Sequence, residues 1–379
     1  MAVFGVDAAV ELLKDYLLPA YRYQANDQSD ILLAQFERDS QSVEGRQIVM
    51  ALRFGRSGGT GNRADTVDDT GLPTANARKG KQAKWETKNL VGVMHLTDKL
   101  MKAAKTSAGA FANLLQAETE ALSTDTKDMM SRQVYGDGTG KLATITAAAW
   151  AANVLTLTVD DVRYFAEGMF LDVIDLSAAP DAPLANGTGL EVTLVDDVAN
   201  QVQLTAAVDI SAAIQVANDY LVQSGNLNLE LTGLASVFTL DSSLYGIDRS
   251  LNKWLNPNQI AVNAAISEVL IQKGIDKAWR RAGNRINLLS TDDGTARAYQ
   301  NLLSAQKQIV NSLELKGGWK ALAYVSRDGE VPLTVGKYAP AGKIRLLSSE
   351  NWKLYQMEDW DWLDQSGSIF RPVGLGYKA

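Results

Sequence analysis

The amino-acid sequence predicts an α+β fold that contains one β-rich domain. Three observations lead to this class. Apolar residues make up 46% of the 379 positions and charged residues 21%, which is ordinary globular composition. One helical spacing continues from Ser107 to Tyr135, whereas residues 142–225 alternate apolar and polar side chains in short runs separated by turn residues. Helices and strands therefore occupy separate stretches of the chain, and no internal repeat connects them.

The first hundred residues contain a short helix and then a long excursion. Residues 6–18 have helical spacing. Residues 48–54 are predicted to form a strand that ends in the glycine-rich loop 55–61, and the chain returns through 83–88 and 91–96 as an extended hairpin. The excursion has almost no apolar stripe of its own, and a lone hairpin is marginally stable in water. We therefore expect it to lie on another chain, as in a building block of an assembly.

Residues 107–135 are predicted to form one long helix. At 1.5 Å per residue this helix is roughly 40 Å long, enough to be the backbone of a domain. The glycine-rich run 136–140 ends it. The predicted apolar stripe consists of Phe111, Leu115, Leu122, Met129 and Val134.

The β-rich stretch 142–225 is predicted to be a small barrel or sandwich with an acidic outer surface. Its strands are predicted at 154–159, 169–174, 190–195 and 201–204. Beyond it, a helix at 261–281, a strand at 286–289 and a helix at 292–310 follow in order. Thr291 and Asp292 are the predicted caps of the second helix. The remaining strands are predicted at 322–325, 331–335, 343–347 and 352–357.

Composition argues against several kinds of chemistry. The sequence has no cysteine and a single histidine, His95, which excludes disulfides, cysteine nucleophiles and multi-histidine metal sites. No apolar run approaches the roughly 20 residues that span a bilayer, so no membrane partner is expected. A chain of this length with so few residues that could act as nucleophiles or metal ligands is more typical of a structural protein than of an enzyme.

The net charge of −7 conceals an asymmetry along the chain. Residues 78–105 carry eight lysines and arginines against Glu86 and Asp98, whereas residues 142–225 carry eleven acids against Arg163 alone. Opposite charges on separate segments suit docking of one subunit on another. Two solvated surfaces of different sign would explain the pattern equally well.

Four motifs fall short of a functional site. The run 55–59 matches a nucleophile elbow, but no helix follows and His95 is the only candidate base. The run 136–141 lacks the strand and the Ser or Thr of a phosphate loop, and Asp292-Asp293-Gly294 lacks the other positions of a calcium loop. Adjacent acids such as Asp160-Asp161 would point to opposite faces of a strand rather than form a dyad. No catalytic, cofactor or metal site is predicted.

Several strings, in their order along the chain, resemble the major capsid proteins of tailed double-stranded DNA phages, which have the Hong Kong 97-like fold. The strings cover most of the chain. They are Val43-Glu44-Gly45-Arg46, Gly55-Arg56, Gly61-Asn62-Arg63, Gly71-Leu72-Pro73-Thr74-Ala75, Ser107-Ala108-Gly109-Ala110-Phe111, Arg132-Gln133-Val134-Tyr135-Gly136-Asp137-Gly138-Thr139-Gly140, Glu230-Leu231-Thr232-Gly233-Leu234 and Leu244-Tyr245-Gly246-Ile247-Asp248-Arg249.

The resemblance implies a division of the chain into six parts. They would be an N-arm at 1–45, an extended hairpin loop at 46–97, a peripheral domain with the spine helix at 98–141, a β-rich insertion domain at 142–225, an axial domain and its connections at 226–345, and C-terminal peripheral strands at 346–379.

The resemblance also implies a function and partners. The chain would assemble with itself into hexamers and pentamers of an icosahedral shell in the host bacterial cytoplasm, and would reside in the virion around double-stranded DNA bound without sequence specificity. Portal protein, a separate scaffolding protein and a decoration protein would be partners, and no cofactor is implied. The residues expected at inter-subunit contacts are Arg53, Arg56, Arg63, Arg78, Lys79, Lys81, Lys84 and Lys88.

Two alternatives stay open. One is the shell protein of a bacterial nanocompartment with the same fold. The other is a carbohydrate-binding or adhesive protein that uses the β-rich domain at 142–225. This second reading predicts a stable monomer and leaves the hairpin at 46–97 without a partner.

Overall fold

The computed structural model combines helices and strands, as the predicted α+β class requires. It describes residues 31–40, 47–62, 73–97, 108–305, 312–314, 320–326, 329–358, 360–361, 371–373 and 376–378. The helix predicted at 6–18 lies outside these residues. The helices of the described chain are α1 (Ile31–Gln35), α2 (Ala108–Tyr135), α3 (Leu234–Phe238), α4 (Glu268–Ala282) and α5 (Asp293–Ala305).

The strands of the described chain belong to several small sheets. Numbered in chain order, they are β1 (Glu37–Asp39), β2 (Gln47–Phe54), β3 (Lys79–Glu86), β4 (His95–Thr97), β5 (Lys141–Ala151), β6 (Val154–Val159), β7 (Phe170–Asp175), β8 (Ala182–Pro183), β9 (Leu190–Asp196), β10 (Gln201–Thr205), β11 (Tyr220–Gln223), β12 (Ser243–Leu244), β13 (Ile247–Asp248), β14 (Leu288–Thr291), β15 (Ser312–Glu314), β16 (Lys320–Ser326), β17 (Gly329–Val335), β18 (Arg345–Leu347), β19 (Lys353–Tyr355), β20 (Arg371–Val373) and β21 (Gly376–Lys378).

The predicted hairpin is a two-stranded antiparallel ribbon. β2 and β3 pair along their full lengths, from Gln47 opposite Glu86 to Phe54 opposite Lys79. The second strand therefore begins four residues earlier than the predicted 83–88. The further strand predicted at 91–96 is wrong in extent, because only β4 is a strand there, and it pairs with β21.

Helix α2 ends at the predicted position. Gly138 and Gly140, at φ +93° and +85°, turn the chain out of the helix. The predicted apolar stripe is only partly correct: Val134 is buried, but Leu122 and Met129 are half-buried, and the side chains of Phe111 and Leu115 lie outside the described ones. The buried face along the middle of the helix instead carries small hydroxyl side chains, namely Thr119, Ser123 and Thr126.

The β-rich stretch is a closed barrel, which decides between the two predicted forms. Six antiparallel strands follow one another in the order β11-β5-β6-β10-β9-β7, and β7 pairs again with β11 to close the ring. β8 extends the sheet beside β7. The interior is filled by apolar side chains, among them Ile145, Leu155, Leu157, Leu171, Val192, Val202, Leu204 and Leu221.

The chain beyond the barrel forms a mixed five-stranded sheet in the order β15-β16-β17-β14-β18, with β14 and β17 parallel. On one face, α4 and α5 bury Ile271, Ile275 and Tyr299 against the strands. Helix α4 begins at Glu268 rather than at 261, because the Ser267 hydroxyl accepts the Leu270 N–H and caps it there. Helix α5 is capped by Asp292 alone, since the other predicted cap, Thr291, is the last residue of β14.

The opposite face of this sheet adjoins a second core, called here the body core. It consists of Leu32, Leu33, Val134, Tyr135, Leu234, Leu288, Tyr338, Ala339 and Leu347. The body core joins α1, the last turn of α2, α3 and strands β14 and β18. Two pairings also connect distant parts of the sequence, β1 with β19 in parallel and β4 with β21.

Candidate assembly surface

The cationic residues predicted for inter-subunit contacts lie on the ribbon, on its loop or just after it. Arg53, Arg56, Arg78, Lys79, Lys81, Lys84 and Lys88 are all exposed, and Arg63 lies outside the described residues. Pairing places Arg53 and Lys84 on one face of the ribbon, whereas Lys79 and Lys81 share the other face with Ala83 and Trp85. The ribbon therefore presents positive charge on both faces.

The ribbon packs against other residues of its own chain. This corrects the expectation that it needs another chain to lie on. Trp85 packs on Tyr245 and on Tyr355, with ring centroids 4.7 and 5.4 Å apart, and Phe54 stacks on Trp254 at 4.4 Å. The Lys84 N–H donates to the carbonyl of Tyr245 at 2.9 Å. Sequence spacing gave no signal for these contacts, because their partners lie some 160 to 270 positions away.

The segment that receives the ribbon, residues 242–256, is called here the platform. Its fold depends on Arg249, which is completely buried. The Arg249 guanidinium donates to the carbonyls of Ser236 and Val237 at 2.7 Å each, and its Nε donates to the Ser242 carbonyl at 3.0 Å. Burial lowers the pKa of Arg249, and the carbonyl acceptors stabilise its positive charge.

The chain after the ribbon runs along α2 without pairing as a strand. Lys88 Nζ donates to the carbonyl of Asn228 at 3.2 Å, so one of the predicted contact residues already has a partner within its own chain. Gly92 lies against Leu122, and Met94 is buried. Val91 and Val93 alternate with them and are 70% and 58% exposed, which leaves an apolar edge on the outside.

The acidic residues of the barrel serve two different purposes. Asp172 and Asp219 are buried, and each accepts two backbone N–H groups, so they do not contribute to a docking surface. Asp175 and Asp209 fold turns by accepting the N–H and hydroxyl of the serine two residues on, and these bonds lower the pKa of both carboxyls. The predicted acidic exterior is therefore present but smaller than the sequence count suggests.

The barrel is attached to the rest of the chain at the turn after β17. The Arg163 guanidinium forms an ion pair with Asp161 and donates to the carbonyls of Lys337 and Ala339 at 3.2 and 3.3 Å. Tyr164 stacks on Tyr338 with ring centroids 5.5 Å apart. The one base in the acidic stretch thus has a structural role.

A second attachment lies where α2 leads into the barrel. Arg132 and Glu230 form a buried, two-pronged ion pair across the end of the helix. The Asn228 N–H donates to the Thr139 carbonyl at 2.9 Å, so the chain leaves the barrel beside the point where it enters. Both residues of the ion pair belong to strings that carried the resemblance, although nothing in the sequence showed that they touch.

Within the described residues, the chain shows no group of three or more histidine, cysteine, aspartate or glutamate side chains that could hold a metal ion. His95 is placed in β4. None of the described helices combines the length and apolar character needed to cross a membrane.

Comparison with known proteins was made against family models, curated proteins and solved structures. No protein-family model matches the chain, and no curated protein matches it. The chain is similar to a solved structure titled "Cyanophage A-1(L) capsid asymmetric unit", with 12% sequence identity and a TM-score of 0.46 over 92% of this chain and 77% of that chain. Similarity at this level assigns neither a fold family nor a function by itself.

Proposed function

We propose that this protein is the major capsid protein of a tailed double-stranded DNA phage, a structural subunit with the Hong Kong 97-like fold that assembles into an icosahedral shell. The observation that carries the proposal is the ribbon. It is eight residues long on each strand, pairs with no other strand of the described chain, and presents exposed cationic side chains on both faces. A ribbon of this kind, anchored at both ends by aromatic side chains and exposing cationic side chains, is suited to contact a neighbour.

The order of the elements supports the same proposal. A ribbon precedes a 28-residue helix, and a sheet covered by two helices follows later in the chain. Strand β19 pairs with β1 and β21 pairs with β4, so strands from the last thirty residues return to strands from the first hundred. The barrel, which the chain enters and leaves at adjacent points, would be an insertion domain on the shell. The division into N-arm, hairpin, peripheral, insertion and axial parts is proposed on this basis.

Charge supports docking of the ribbon on a second copy of the chain. Glu167, Glu191 and Asp197 are exposed on the barrel, so their charge faces solvent and can meet a neighbour. Exposed ion pairs are individually weak, about 0–1 kcal/mol each. A shell repeats the contact in every subunit, so weak contacts sum to a stable particle.

Negative-stain electron microscopy of the purified chain over a concentration series tests the proposal. Closed particles, or rings of five and six subunits, are expected for the wild-type chain. Because a missing scaffolding protein would suppress shells, a second measurement is needed. Carbodiimide coupling in a mixture of ¹⁴N- and ¹⁵N-labelled chains should join ribbon lysines to carboxylates of another copy.

Charge reversal at Arg78, Lys79 and Lys81 to glutamate should abolish both the particles and the mixed-label crosslinks. The matched control exchanges lysine and arginine at the same positions, which changes the side chains but keeps the charge. Particles formed at normal yield by the reversed variant would overturn the ribbon contact. A chain that stays monomeric and forms no mixed-label crosslinks would overturn the shell function itself.

The alternatives differ in what they require. A nanocompartment shell would give particles without portal protein or packaged DNA. A ligand-binding role for the barrel would have to use its outer surface, because apolar side chains fill its interior. Portal, scaffolding and decoration proteins remain partners implied by the proposed function.

A further inference from the structure

Two buried polar side chains on paired strands have no hydrogen-bond partner. Arg345 of β18 lies directly opposite Ser290 of β14, and the two residues are 8% and 1% exposed. Neither Nη1 of Arg345 nor Oγ of Ser290 has a partner. Residues opposite each other in an antiparallel pair point to the same face, so both side chains lie on the side of the sheet that adjoins the body core.

Among the described residues, no carboxylate balances the charge of Arg345. Its guanidinium lies over the rings of Tyr135 and Phe238, 5.6 and 5.7 Å from their centroids. No carboxylate among the described residues forms an ion pair with it. Burial lowers its pKa to about 10, so the group stays charged at neutral pH. Aromatic faces attract a cation, but they accept no hydrogen bond in the plane of the guanidinium.

The guanidinium groups of two other buried arginines have hydrogen-bond partners. Arg132 is paired with Glu230, and Arg249 donates to three backbone carbonyls. Arg345 differs from the other buried arginines of the described residues in two respects. Its charge has no neighbouring carboxylate, and its Nη1 donor has no hydrogen-bond acceptor. Burying a charge without a counter-charge, or a donor without an acceptor, lowers the stability of the folded chain. Such groups commonly mark the position of a bound water or ion.

We propose that Arg345 and Ser290 bind one small monovalent anion of the halide class, such as chloride. A halide accepts from the Arg345 N–H and the Ser290 O–H at once and balances the charge between the two aromatic rings. Water would satisfy both donors but would leave the charge uncompensated. A phosphate or sulfate would need several more donors than these two side chains offer.

The test compares thermal unfolding of the wild-type chain in sodium chloride, sodium bromide and sodium gluconate at equal ionic strength. A bound halide should raise the unfolding midpoint over gluconate by about 1–3 °C. Ser290→Ala and Arg345→Met should each lose that difference. The control is Ser123→Ala, which removes a buried hydroxyl of α2 about three turns from Tyr135 and should keep the difference.

Bromide also gives a direct readout through its anomalous scattering in crystals grown in sodium bromide. A peak within about 3.5 Å of Arg345 Nη1 is expected, and an ordered water alone at that position would overturn the proposal. Equal halide responses in the wild-type chain and both site variants would do the same, because they would report a general salt effect. Both measurements are made on the folded chain and are independent of whether it forms shells.

Discussion

Trp85 packs against Tyr245 with ring centroids 4.7 Å apart, and this contact places the ribbon on the platform of its own chain. The contact changes how assembly is understood. A ribbon that became ordered only in a lattice would lose conformational entropy at the moment of docking. A ribbon already held by Trp85, Tyr245, Phe54 and Trp254 incurs less of that cost, so its cationic side chains are positioned before a neighbour arrives.

The aromatic anchor at the loop end of the ribbon can be weakened by Trp254→Leu. The Trp254 ring stacks on Phe54, and its Nε1 has no hydrogen-bond partner to lose. We expect faster amide hydrogen exchange in β2 and β3, with a loss of about 1–3 kcal/mol of local stability. Trp279→Leu on α4 is the matched control. Unchanged protection of both strands would show that the ribbon is held by other contacts.

The buried ion pair at the end of α2 can be broken by Glu230→Gln. The change leaves the Arg132 charge buried without its counter-charge, which should cost about 3–5 kcal/mol of unfolding free energy in urea. The double variant Arg132→Met with Glu230→Leu removes both charges, and it should recover most of that loss. A single variant as stable as the wild-type chain would mean that water reaches the pair.

Gly233 is placed where no side chain fits. A Cβ there would lie 2.5 Å from the carbonyl oxygen of Val134 and 2.7 Å from that of Gly136. Gly233→Ala should therefore push α3 away from the end of α2 and cost about 2–4 kcal/mol in urea unfolding. Gly80→Ala is the control, since the nearest atom to its Cβ would be 3.5 Å away. Equal stability of the two variants would contradict this close approach.

Tyr338 should make stability fall at alkaline pH. Burial and then its hydrogen bond to Asp128 raise the pKa of the Tyr338 phenol to about 12, above the ordinary 10.0. Its contribution is therefore complete below pH 10 and is lost as the pH rises through about 12. Tyr338→Phe should flatten this alkaline decline in the unfolding midpoint. Absorbance titration should show one tyrosine fewer ionising near pH 12, and an identical alkaline limb would contradict the assignment.

Local pattern was sufficient for elements whose signal lies within a few neighbouring residues. Strand β6 has the predicted bounds because Val154 to Val159 alternate strictly, and α2 ends where the glycines begin. Strand β5 was not predicted, since its alanine-rich sequence alternates weakly. Helix α4 was predicted to begin at residue 261, because the apolar residues before Ser267 have helical spacing. The helix begins only at Glu268, after the Ser267 cap.

The α+β class, the ribbon, the long helix and the charge asymmetry could all be predicted from the sequence, because composition and periodicity are properties of neighbouring residues. Three features became visible only in the folded chain: the barrel closes through β7 and β11, Arg132 pairs with Glu230, and Trp85 packs on Tyr245. Each of these joins residues far apart in the chain. Such pairs form because burying their shared surface lowers the free energy of the folded chain. The spacing of residues along one sequence does not show which distant residues will meet.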